Sequence, residues 1–323
     1  MISAYLVADL SPWLIRAVPS YASGSRLRWA LSLLGAFRVM ALTSRHRVAG
    51  VHLHVSERFD ILRSLVLIEI ATRRRIPAVL TLHGAHFMTE VRKRPRLVAA
   101  LLRRATAVTV LSPEVENAVR RLGAKDVRLI ANPAPEHGEV RDVTQSTQVL
   151  FAGEIGRRKG VDVLLEAWPA IRASRPDLTL RLAGPAAEPQ LIARLPSGVA
   201  YAGVLSPEDV RRELAASCLA VLPSRAEQMP MFILEALAAG VPVVATAVGA
   251  NELLVGPAGT IVPASDADAL ASAVVELLDD PQRLTTLSDI ARRRVQERFS
   301  IEIFRGNVRD LYLAAFGPSQ AAV

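Results

Sequence analysis

Short apolar runs alternate with amphipathic segments along the whole chain. In the first half, these runs predict β-strands at Ala4–Ala8, Val48–Val55, Ala78–Leu82, Ala107–Leu111 and Val127–Ile130. In the second half, they predict strands at Gln148–Ala152, Leu178–Ala183, Val199–Ala202, Cys218–Leu222, Val241–Ala245 and Thr260–Val262. The segments between them carry helix signals, such as Ser112 and Pro113 at a start. Strands that alternate with helices predict an α/β protein with parallel sheets covered on both faces.

Two such arrays meet near the Pro-containing polar stretch 132–138, which is the best candidate for a linker. A chain of 323 residues is long enough for two domains, each with its own core. The predicted N-terminal domain spans residues 1–138 and the predicted C-terminal domain spans residues 139–302. Both are expected to be Rossmann-like, doubly wound parallel-sheet domains that face each other across a cleft, with ligands at the carboxyl ends of the strands.

The charge of the chain is uneven, although its formal net value is +8. Residues 1–145 hold 22 Lys and Arg against 11 Asp and Glu, whereas the remainder is net acidic. This asymmetry indicates an anionic partner for the first half, and a nucleic acid, an anionic membrane surface and a phosphate-bearing lipid all satisfy it. An Arg-rich composition without any such partner explains it equally well. A nucleic acid is disfavoured, because the basic residues lack interleaved aromatic side chains.

The single cysteine, Cys218, excludes an intramolecular disulfide and any zinc site built from several cysteines. It lies in an apolar run and is expected to be a buried core residue. No stretch of about 18 uncharged apolar residues is present, which disfavours a membrane-spanning helix. Together with the lack of a secretory leader, these features favour a cytoplasmic protein that is at most peripheral to the inner face of the membrane.

The first segment with recognisable chemistry is 149–168, where an apolar strand runs into a glycine-bearing loop. After Gly153, this loop carries three consecutive cations, Arg157, Arg158 and Lys159. Glycines let the backbone approach a ligand, and the following helix N-terminus and Lys159 supply the positive charge that suits a diphosphate. Taken alone, a solvated basic turn explains these residues equally well.

The second segment is 223–245, which is predicted to hold a helix between two buried strands. Pro230 is placed to start this helix and Gly240 to end it. Glu227 lies in the loop before the helix and Glu235 lies within it. A carboxylate suits bidentate hydrogen bonds to vicinal sugar hydroxyls, and the amides around Met229–Met231 suit an anion.

Glu227 and Glu235 form an E-x7-E pair within the pattern P-S-x-x-E-x-M-P-x-x-x-x-E-A-x-A-x-G-x-P-V-V-A-T. This pattern resembles family-4 glycosyltransferases of the GT-B fold, especially enzymes of bacterial surface polysaccharides. The likeness covers nearly the whole chain and includes Val51–His54, Leu82–Gly84, Asn132-Pro133, Val248–Glu252, Gly259–Pro263 and Phe299-Ser300.

The resemblance implies a role for each motif. Lys159 would contact the donor diphosphate, Glu227 the transferred sugar and Glu235 the nucleotide ribose. His83 would lie near the sugar and the acceptor, and the last helix, about 303–323, would pack back on the first domain. The implied donor-binding set is Gly153, Arg157, Arg158, Lys159, Gly203, Val204, Glu227, Met229, Pro230, Met231 and Glu235.

Several histidines lie close together in the first half and raise the question of a metal cluster. His52, His54 and His86 are the candidates. The resemblance implies no metal ligation, and structural histidines are expected instead. A nucleoside diphosphate sugar is therefore the expected co-substrate, and no cofactor and no metal are expected.

Three departures from the family pattern bear on activity. Glu154 stands where the family often has an arginine, and its carboxylate would repel a phosphate unless Arg157 or Arg158 compensates. Gln228 replaces a frequent glycine. The opening strand and Gly-rich loop of the family are not recognisable, because the sequence given begins after that unit.

The hypothesis that follows is a retaining glycosyltransferase, which moves a sugar from a nucleoside diphosphate sugar to an acceptor hydroxyl on a glycan or a lipid. Catalysis would rest on electrostatic stabilisation of the departing diphosphate. The alternative is a catalytically inactive nucleotide-sugar-binding pseudoenzyme or a truncated fragment, because the opening unit is not recognised.

Overall fold

The computed structural model describes residues 48–56, 58–84, 87–136 and 142–318. The predictions for Ala4–Ala8, for His86 and for the opening unit lie outside these ranges. The chain divides into two compact units, one with residues up to Asn132 together with those from Phe304, the other with Pro133–Ile303. The first boundary therefore lies before residue 138. The helices in the described ranges all lack either the length or the apolar content needed to cross a bilayer.

The first unit is built on a sheet of four parallel strands, adjacent in chain order. The strands are β1 (Val51–Val55), β2 (Ala78–Leu82), β3 (Ala107–Val110) and β4 (Val127–Leu129). Its helices up to residue 132 are α1 (Arg58–Arg73), α2 (Phe87–Lys93), α3 (Pro95–Leu102) and α4 (Pro113–Arg121). Helix α4 begins as predicted, because the Ser112 hydroxyl accepts a hydrogen bond from the backbone N–H of Val115 at 3.4 Å.

The second unit is built on a sheet of six parallel strands. The strands are β5 (Gln148–Ala152), β6 (Thr179–Ala183), β7 (Val199–Tyr201), β8 (Leu219–Leu222), β9 (Val243–Thr246) and β10 (Gly259–Val262). The helices, in chain order, are α5 (Val161–Ser174), α6 (Pro207–Ala215), α7 (Met231–Ala238), α8 (Asn251–Val255), α9 (Ala267–Leu278) and α10 (Pro281–Arg294). The last helix of the chain is α11 (Ile301–Phe316).

The strand order of the second sheet is β10-β9-β8-β5-β6-β7. The chain therefore runs outward from β5 to β7, returns to β8 beside β5, and continues outward in the other direction. The reversal creates a topological switch point between β5 and β8, and ligands of such sheets bind beyond the carboxyl ends of the strands at this point. The predicted fold class, an α/β protein with two parallel-sheet units, is confirmed, and the reversal of a doubly wound sheet is seen in the second unit.

The predicted apolar runs form the buried strands at the centre of the second unit. Strands β8 and β9 are buried along their whole length, as expected for a parallel sheet covered on both faces. Cys218, immediately before β8, is 1% exposed, and burial raises the pKa of its thiol to about 12. The interpretation of Cys218 as an inert core residue is therefore confirmed.

Candidate functional site

Two loops of the second unit meet at the switch point. One follows β5 and carries Lys159, and the other follows β8 and carries Glu227. The ammonium Nζ of Lys159 donates to Oε1 of Glu227 at 2.5 Å, and the Ser224 hydroxyl donates to the same oxygen at 2.8 Å. The side chains of Lys159 and Glu227 are only 15% and 7% exposed. Two residues that are 68 positions apart in the sequence thus form a nearly buried ion pair.

Gly160 allows the two loops to approach each other. Its φ is +71°, a left-handed conformation, and a Cβ atom at this position would lie 1.9 Å from the carbonyl oxygen of Pro223. Only glycine satisfies both conditions. Because Gly160 directly follows Lys159, the close approach brings the Lys159 side chain towards the loop that holds Glu227.

Replacement of Gly160 with alanine is expected to destabilise the protein by about 2 kcal/mol or more, since left-handed strain and overlap with a carbonyl add together. Gly203 offers a matched control, because its φ is +73° but no atom lies within 4 Å of the position that a Cβ would take. Gly203→Ala should cost only the strain, about 1 kcal/mol. Urea denaturation of both variants measures the difference, and equal losses would contradict the steric account.

The other predicted cations of this loop differ in their contacts. Arg158 donates to the Glu154 carboxylate at 3.4 Å, so the carboxylate that was expected to repel a phosphate has a cation beside it. Arg157 is 67% exposed and its guanidinium lies 3.3 Å from Asp162 and 3.5 Å from Glu188. The structure therefore associates Arg158 with the Glu154 carboxylate and turns Arg157 towards other acidic groups.

Helix α7 starts at the same end of the sheet. Pro230 is its N-cap residue, and no side chain of the described residues caps the helix. The positive end of the helix dipole lies at this end of the sheet, where it favours an anion. Met229 is buried, at 7% exposure, and Met231 is partly exposed at the first position of the helix.

Glu235 lies on the second turn of α7 and is partly buried. Within the described ranges, no donor lies within hydrogen-bonding distance of its carboxylate. Burial raises the pKa of Glu235, although the positive charge of Arg211 opposes the shift. A carboxylate that is desolvated without a partner is costly, so this group is suited to a ligand that brings its own donors.

Gln228 is a further polar group in the loop after β8. Its side chain belongs to a residue that is 6% exposed, and neither its amide nitrogen nor its amide oxygen has a partner among the residues that the structure describes. The backbone carbonyl of Gln228 accepts from the N–H of Ala250 at 2.8 Å. The departure from the family glycine thus adds an unsatisfied buried amide beside Glu227.

The remaining predicted donor residues lie after neighbouring strands. Gly153 directly follows β5, and its backbone N–H donates to the carbonyl of Ala183 at 2.8 Å. Gly203 follows β7, and its carbonyl accepts from the N–H of Gly184 at 2.7 Å. Val204 is 72% exposed, which is unusual for a valine and leaves its side chain accessible. Gly153, Gly203 and Val204 thus follow the carboxyl ends of two strands of the same sheet as the Lys159–Glu227 pair.

The first unit holds a separate polar cluster. His54, Thr81 and Thr109 are register neighbours on β1, β2 and β3, and His52 lies on the same face of β1 as His54. A small cavity is lined by these four side chains together with His83 and others. This face carries polar side chains where a covered parallel sheet usually carries apolar ones.

A chain of hydrogen bonds crosses this polar face. The Tyr312 hydroxyl lies 2.7 Å from Nδ1 of His52, whose Nε2 lies 2.6 Å from the Thr81 hydroxyl. Thr81 bonds in turn to Thr109 at 2.6 Å, and Thr109 donates to the carbonyl of Leu80. Because this carbonyl can only accept, Thr109 donates to it and accepts from Thr81, which in turn accepts from Nε2 of His52. Nδ1 of His52 then accepts from the Tyr312 hydroxyl.

His83 directly follows β2, on a loop as predicted. Its Nε2 lies 2.8 Å from Nδ1 of His54, and the rings of His52, His54 and His83 are stacked in sequence. Burial and then the neighbouring His54 lower the pKa of His83 from 6.5 to about 4. Burial likewise lowers the pKa of His52 and of His54. The cluster is therefore neutral at pH 7.

We expect His83 to titrate near pH 4 rather than near 6.5. Since this pKa lies below that of the unfolded chain, stability is lost as the pH falls from about 6.5 towards 4. An NMR titration of the imidazole protons measures the midpoint, and a His83→Gln variant assigns the signal. A midpoint near 6.5 would contradict the buried, neutral cluster.

No group of three or more His, Cys, Asp or Glu side chains within the described ranges is arranged to hold a metal ion. The Nδ1 of His54 and the Nε2 of His83 face each other in a hydrogen bond. Both nitrogens of His52 are also hydrogen-bonded, to Tyr312 and Thr81. His86, the remaining candidate, lies outside the described residues.

Sequence reasoning did not single out Arg225 or Asp162. The two nitrogens Nη1 and Nη2 of Arg225 bind the two carboxylate oxygens of Asp162 at 2.7 and 2.9 Å. Nothing in the spacing of these residues, 63 positions apart, indicated the pair.

Comparison with known proteins identifies the domain of the second unit and the fold of the chain. Residues 146–280 match the family model "Glycosyl transferases group 1". The sucrose-phosphate synthase of Thermosynechococcus elongatus superposes with a TM-score of 0.77 over 93% of this chain and 81% of its own, at 26% identity. The second unit therefore carries a group 1 glycosyl transferase domain, and the chain has the GT-B fold.

Two curated relatives of this GT-B protein are more similar in sequence. A GDP-mannose-dependent monoacylated α-(1-6)-phosphatidylinositol monomannoside mannosyltransferase of Corynebacterium glutamicum is 35% identical over 45% of this chain and 42% of its own length. The D-inositol 3-phosphate glycosyltransferase of Thermobispora bispora is 33% identical over 72% and 55%. The chain thus spans about half the length of these relatives.

A further GT-B structure shares the fold. Anabaena HepE, determined in complex with UDP and glucose, superposes with a TM-score of 0.71 over 92% of this chain and 85% of its own. The two are 20% identical, so this likeness is one of fold.

Proposed function

We propose that this GT-B glycosyltransferase moves a sugar from a nucleoside diphosphate sugar to an acceptor hydroxyl, with retention of configuration at the anomeric carbon. The observation that supports it is the Lys159–Glu227 pair at the switch point of the second sheet. There, a cation suited to a diphosphate touches a carboxylate suited to sugar hydroxyls.

In the proposed reaction, the bond between the anomeric carbon and the diphosphate oxygen breaks, and the acceptor oxygen bonds to the same face of that carbon. The acceptor proton passes to the departing diphosphate or to solvent. Lys159, Arg158 and the N-terminus of α7 stabilise the negative charge that develops on the leaving group. Glu227 orients the sugar instead of attacking it, and the reaction requires no metal.

The other residues take supporting roles in this proposal. Glu235 accepts hydrogen bonds from the nucleotide ribose, which gives its unpartnered carboxylate two donors. Gly203 and Val204 lie against the base, and Gly153 lets the backbone approach the diphosphate. Met229, Pro230 and Met231 shape the start of α7, and Arg157 adds positive charge at the rim. His83 contacts the sugar or the acceptor as a neutral imidazole.

The proposed acceptor is a glycan or a lipid-linked sugar in the synthesis of a cell-surface polysaccharide or glycolipid. The name of the Corynebacterium relative gives it a phosphatidylinositol mannoside as acceptor. A Rhizobium meliloti relative, 34% identical over 46% of this chain, is named a lipopolysaccharide core biosynthesis mannosyltransferase. Both names support an acceptor of this class and a hexose as the transferred sugar.

The test is a turnover assay with UDP-glucose, GDP-mannose and ADP-glucose in the presence of a membrane lipid extract. Release of the nucleoside diphosphate from one donor, with a product whose anomeric coupling constant by NMR matches the donor, is expected. Product with the inverted configuration would contradict retention. Release from none of the donors would contradict the proposed activity and favour a protein that binds nucleotide sugars without turnover.

We further propose that the first unit contacts an anionic surface at the inner face of the membrane. Arg92, Lys93, Arg96 and Arg103 are exposed on or beside α2 and α3, and such basic groups are attracted to anionic lipids. Co-sedimentation with vesicles that contain phosphatidylglycerol should exceed that with phosphatidylcholine and should fall with added salt. Equal binding to both vesicle types would contradict this contact.

A further inference from the structure

Arg225 makes more polar contacts than its neighbours in the loop after β8. Beside the bidentate pair with Asp162, its Nη1 donates to the carbonyl of Arg157 at 2.5 Å and its Nε donates to the Ser265 hydroxyl at 2.9 Å. Its backbone N–H donates to the carbonyl of Arg158 at 2.9 Å. One residue thus binds three other segments of the second unit.

These contacts lie on both sides of Lys159. Arg157 and Arg158 precede Lys159 in the loop after β5, and Asp162 follows it in the first turn of α5. Glu227 is two residues after Arg225 in the other loop. The contacts of Arg225 therefore fix the position of the Lys159 backbone relative to the loop that carries Glu227.

The Arg225–Asp162 pair is bidentate and partly enclosed, unlike an ordinary surface ion pair. The Asp162 side chain is only 17% exposed, and its two oxygens accept separate hydrogen bonds from the Arg225 fork. Burial raises the pKa of Asp162, but the hydrogen bond and the charge of Arg225 outweigh it, so this pKa lies below its ordinary value. Asp162 is therefore a fixed anion at neutral pH.

Ser265 provides an independent observation. It has a φ of +64°, which a residue with a side chain adopts only when its surroundings impose it. Its hydroxyl accepts the hydrogen bond from Nε of Arg225. The loop after β10 is thus also tied, at a strained residue, to the same guanidinium.

We infer that Arg225 is a positioning residue of the donor site, which acts through Asp162 and the carbonyl groups of Arg157 and Arg158 to hold Lys159 against Glu227. This inference rests on the proposed function, because it assigns the aligned lysine to a donor diphosphate. A cation held within a fraction of an ångström binds a diphosphate better than one that moves freely.

The experiment measures the affinity for UDP, GDP and ADP by calorimetry in the full chain. Arg225→Lys keeps the positive charge but loses the two-nitrogen contact of the guanidinium with Asp162. We expect it to weaken binding of the preferred nucleotide about tenfold. Asp162→Asn, a smaller change, should shift the affinity in the same direction. Arg212→Lys is the matched control, because Arg212 also pairs with two carboxylates, of Glu208 and Asp209, but on the exposed face of α6.

A double-mutant cycle distinguishes positioning from a general structural role. If Arg225 acts through Lys159, then Arg225→Lys should cause no further loss of affinity in a Lys159→Ala background. Additive losses, or an unchanged affinity of Arg225→Lys alone, would contradict the inference while leaving the proposed function intact. A wild-type protein that binds none of the three nucleotides would contradict the proposed function and, with it, this inference.

Discussion

Replacement of Lys159 with alanine is expected to weaken the binding of a nucleoside diphosphate by about ten- to a hundredfold. The reason is that it removes one charge-assisted hydrogen bond in a partly buried site. The side chain is 15% exposed, so water screens its charge poorly. Calorimetric titration of the variant with the preferred nucleotide measures the change. Lys125→Ala, at an exposed lysine of the first unit, is the control and should bind as the wild type does.

The same substitution should also destabilise the free protein. Among the described residues, it leaves the Glu227 carboxylate, 7% exposed, with a hydrogen bond from the Ser224 hydroxyl but without its cation. Removal of one member of a buried ion pair costs about 3–5 kcal/mol. The double variant Lys159→Ala/Glu227→Gln should recover much of the stability and none of the affinity. A double variant as unstable as the single one would contradict the role of the pair.

Replacement of Glu235 with glutamine is expected to change stability and binding in opposite directions. Burial raises the pKa of Glu235 above 4.5. The carboxyl group therefore ionises less readily in the folded protein than in the unfolded chain. The stability of the fold falls as the pH rises from 4.5 through the raised pKa. Glu235→Gln should therefore unfold at a higher urea concentration than the wild type at pH 7. The difference should vanish below pH 4.5, where the wild-type carboxyl group is protonated in both states.

Nucleotide affinity should fall in the same variant by about ten- to a hundredfold, because a carboxylate binds the two ribose hydroxyls more strongly than an amide does. The wild-type affinity should also fall as the pH is lowered through the raised pKa. Inorganic pyrophosphate is the matched ligand, since it lacks the ribose: Glu235→Gln should bind it normally and Lys159→Ala should not. A Glu235→Gln variant with unchanged nucleotide affinity would contradict the ribose assignment.

Hydrophobic patterning predicted most of the fold. The bounds of β2 and β5 are those expected from the apolar runs, and the other eight observed strands differ from the prediction by one to three residues at their ends. The parallel arrangement followed from the alternation of strands with helices along the chain. The strand order did not follow, because it depends on crossovers that the local pattern does not encode.

The residue types of the donor site were predicted from motifs, but their contacts were not. The motifs assign separate roles to Lys159 and Glu227, and the structure pairs them directly across 68 positions. The pair forms because Gly160 permits an approach that depends on the backbone conformation of another loop. The motifs gave no signal for Arg225, since its partners lie far away in the sequence, Asp162 in the first turn of α5 and Ser265 in the loop after β10. Contacts of this kind follow from tertiary packing and leave no local pattern.

We expect the second unit to bind the nucleoside diphosphate part of a sugar donor. The most direct measurement is a calorimetric titration of the full chain with UDP, GDP and ADP at about pH 7.5, where the phosphates are ionised. We predict saturable binding of one nucleotide in preference to the other two, which Lys159→Ala weakens and Lys125→Ala does not. Binding of none of them, or binding that Lys159→Ala leaves unchanged, would contradict it.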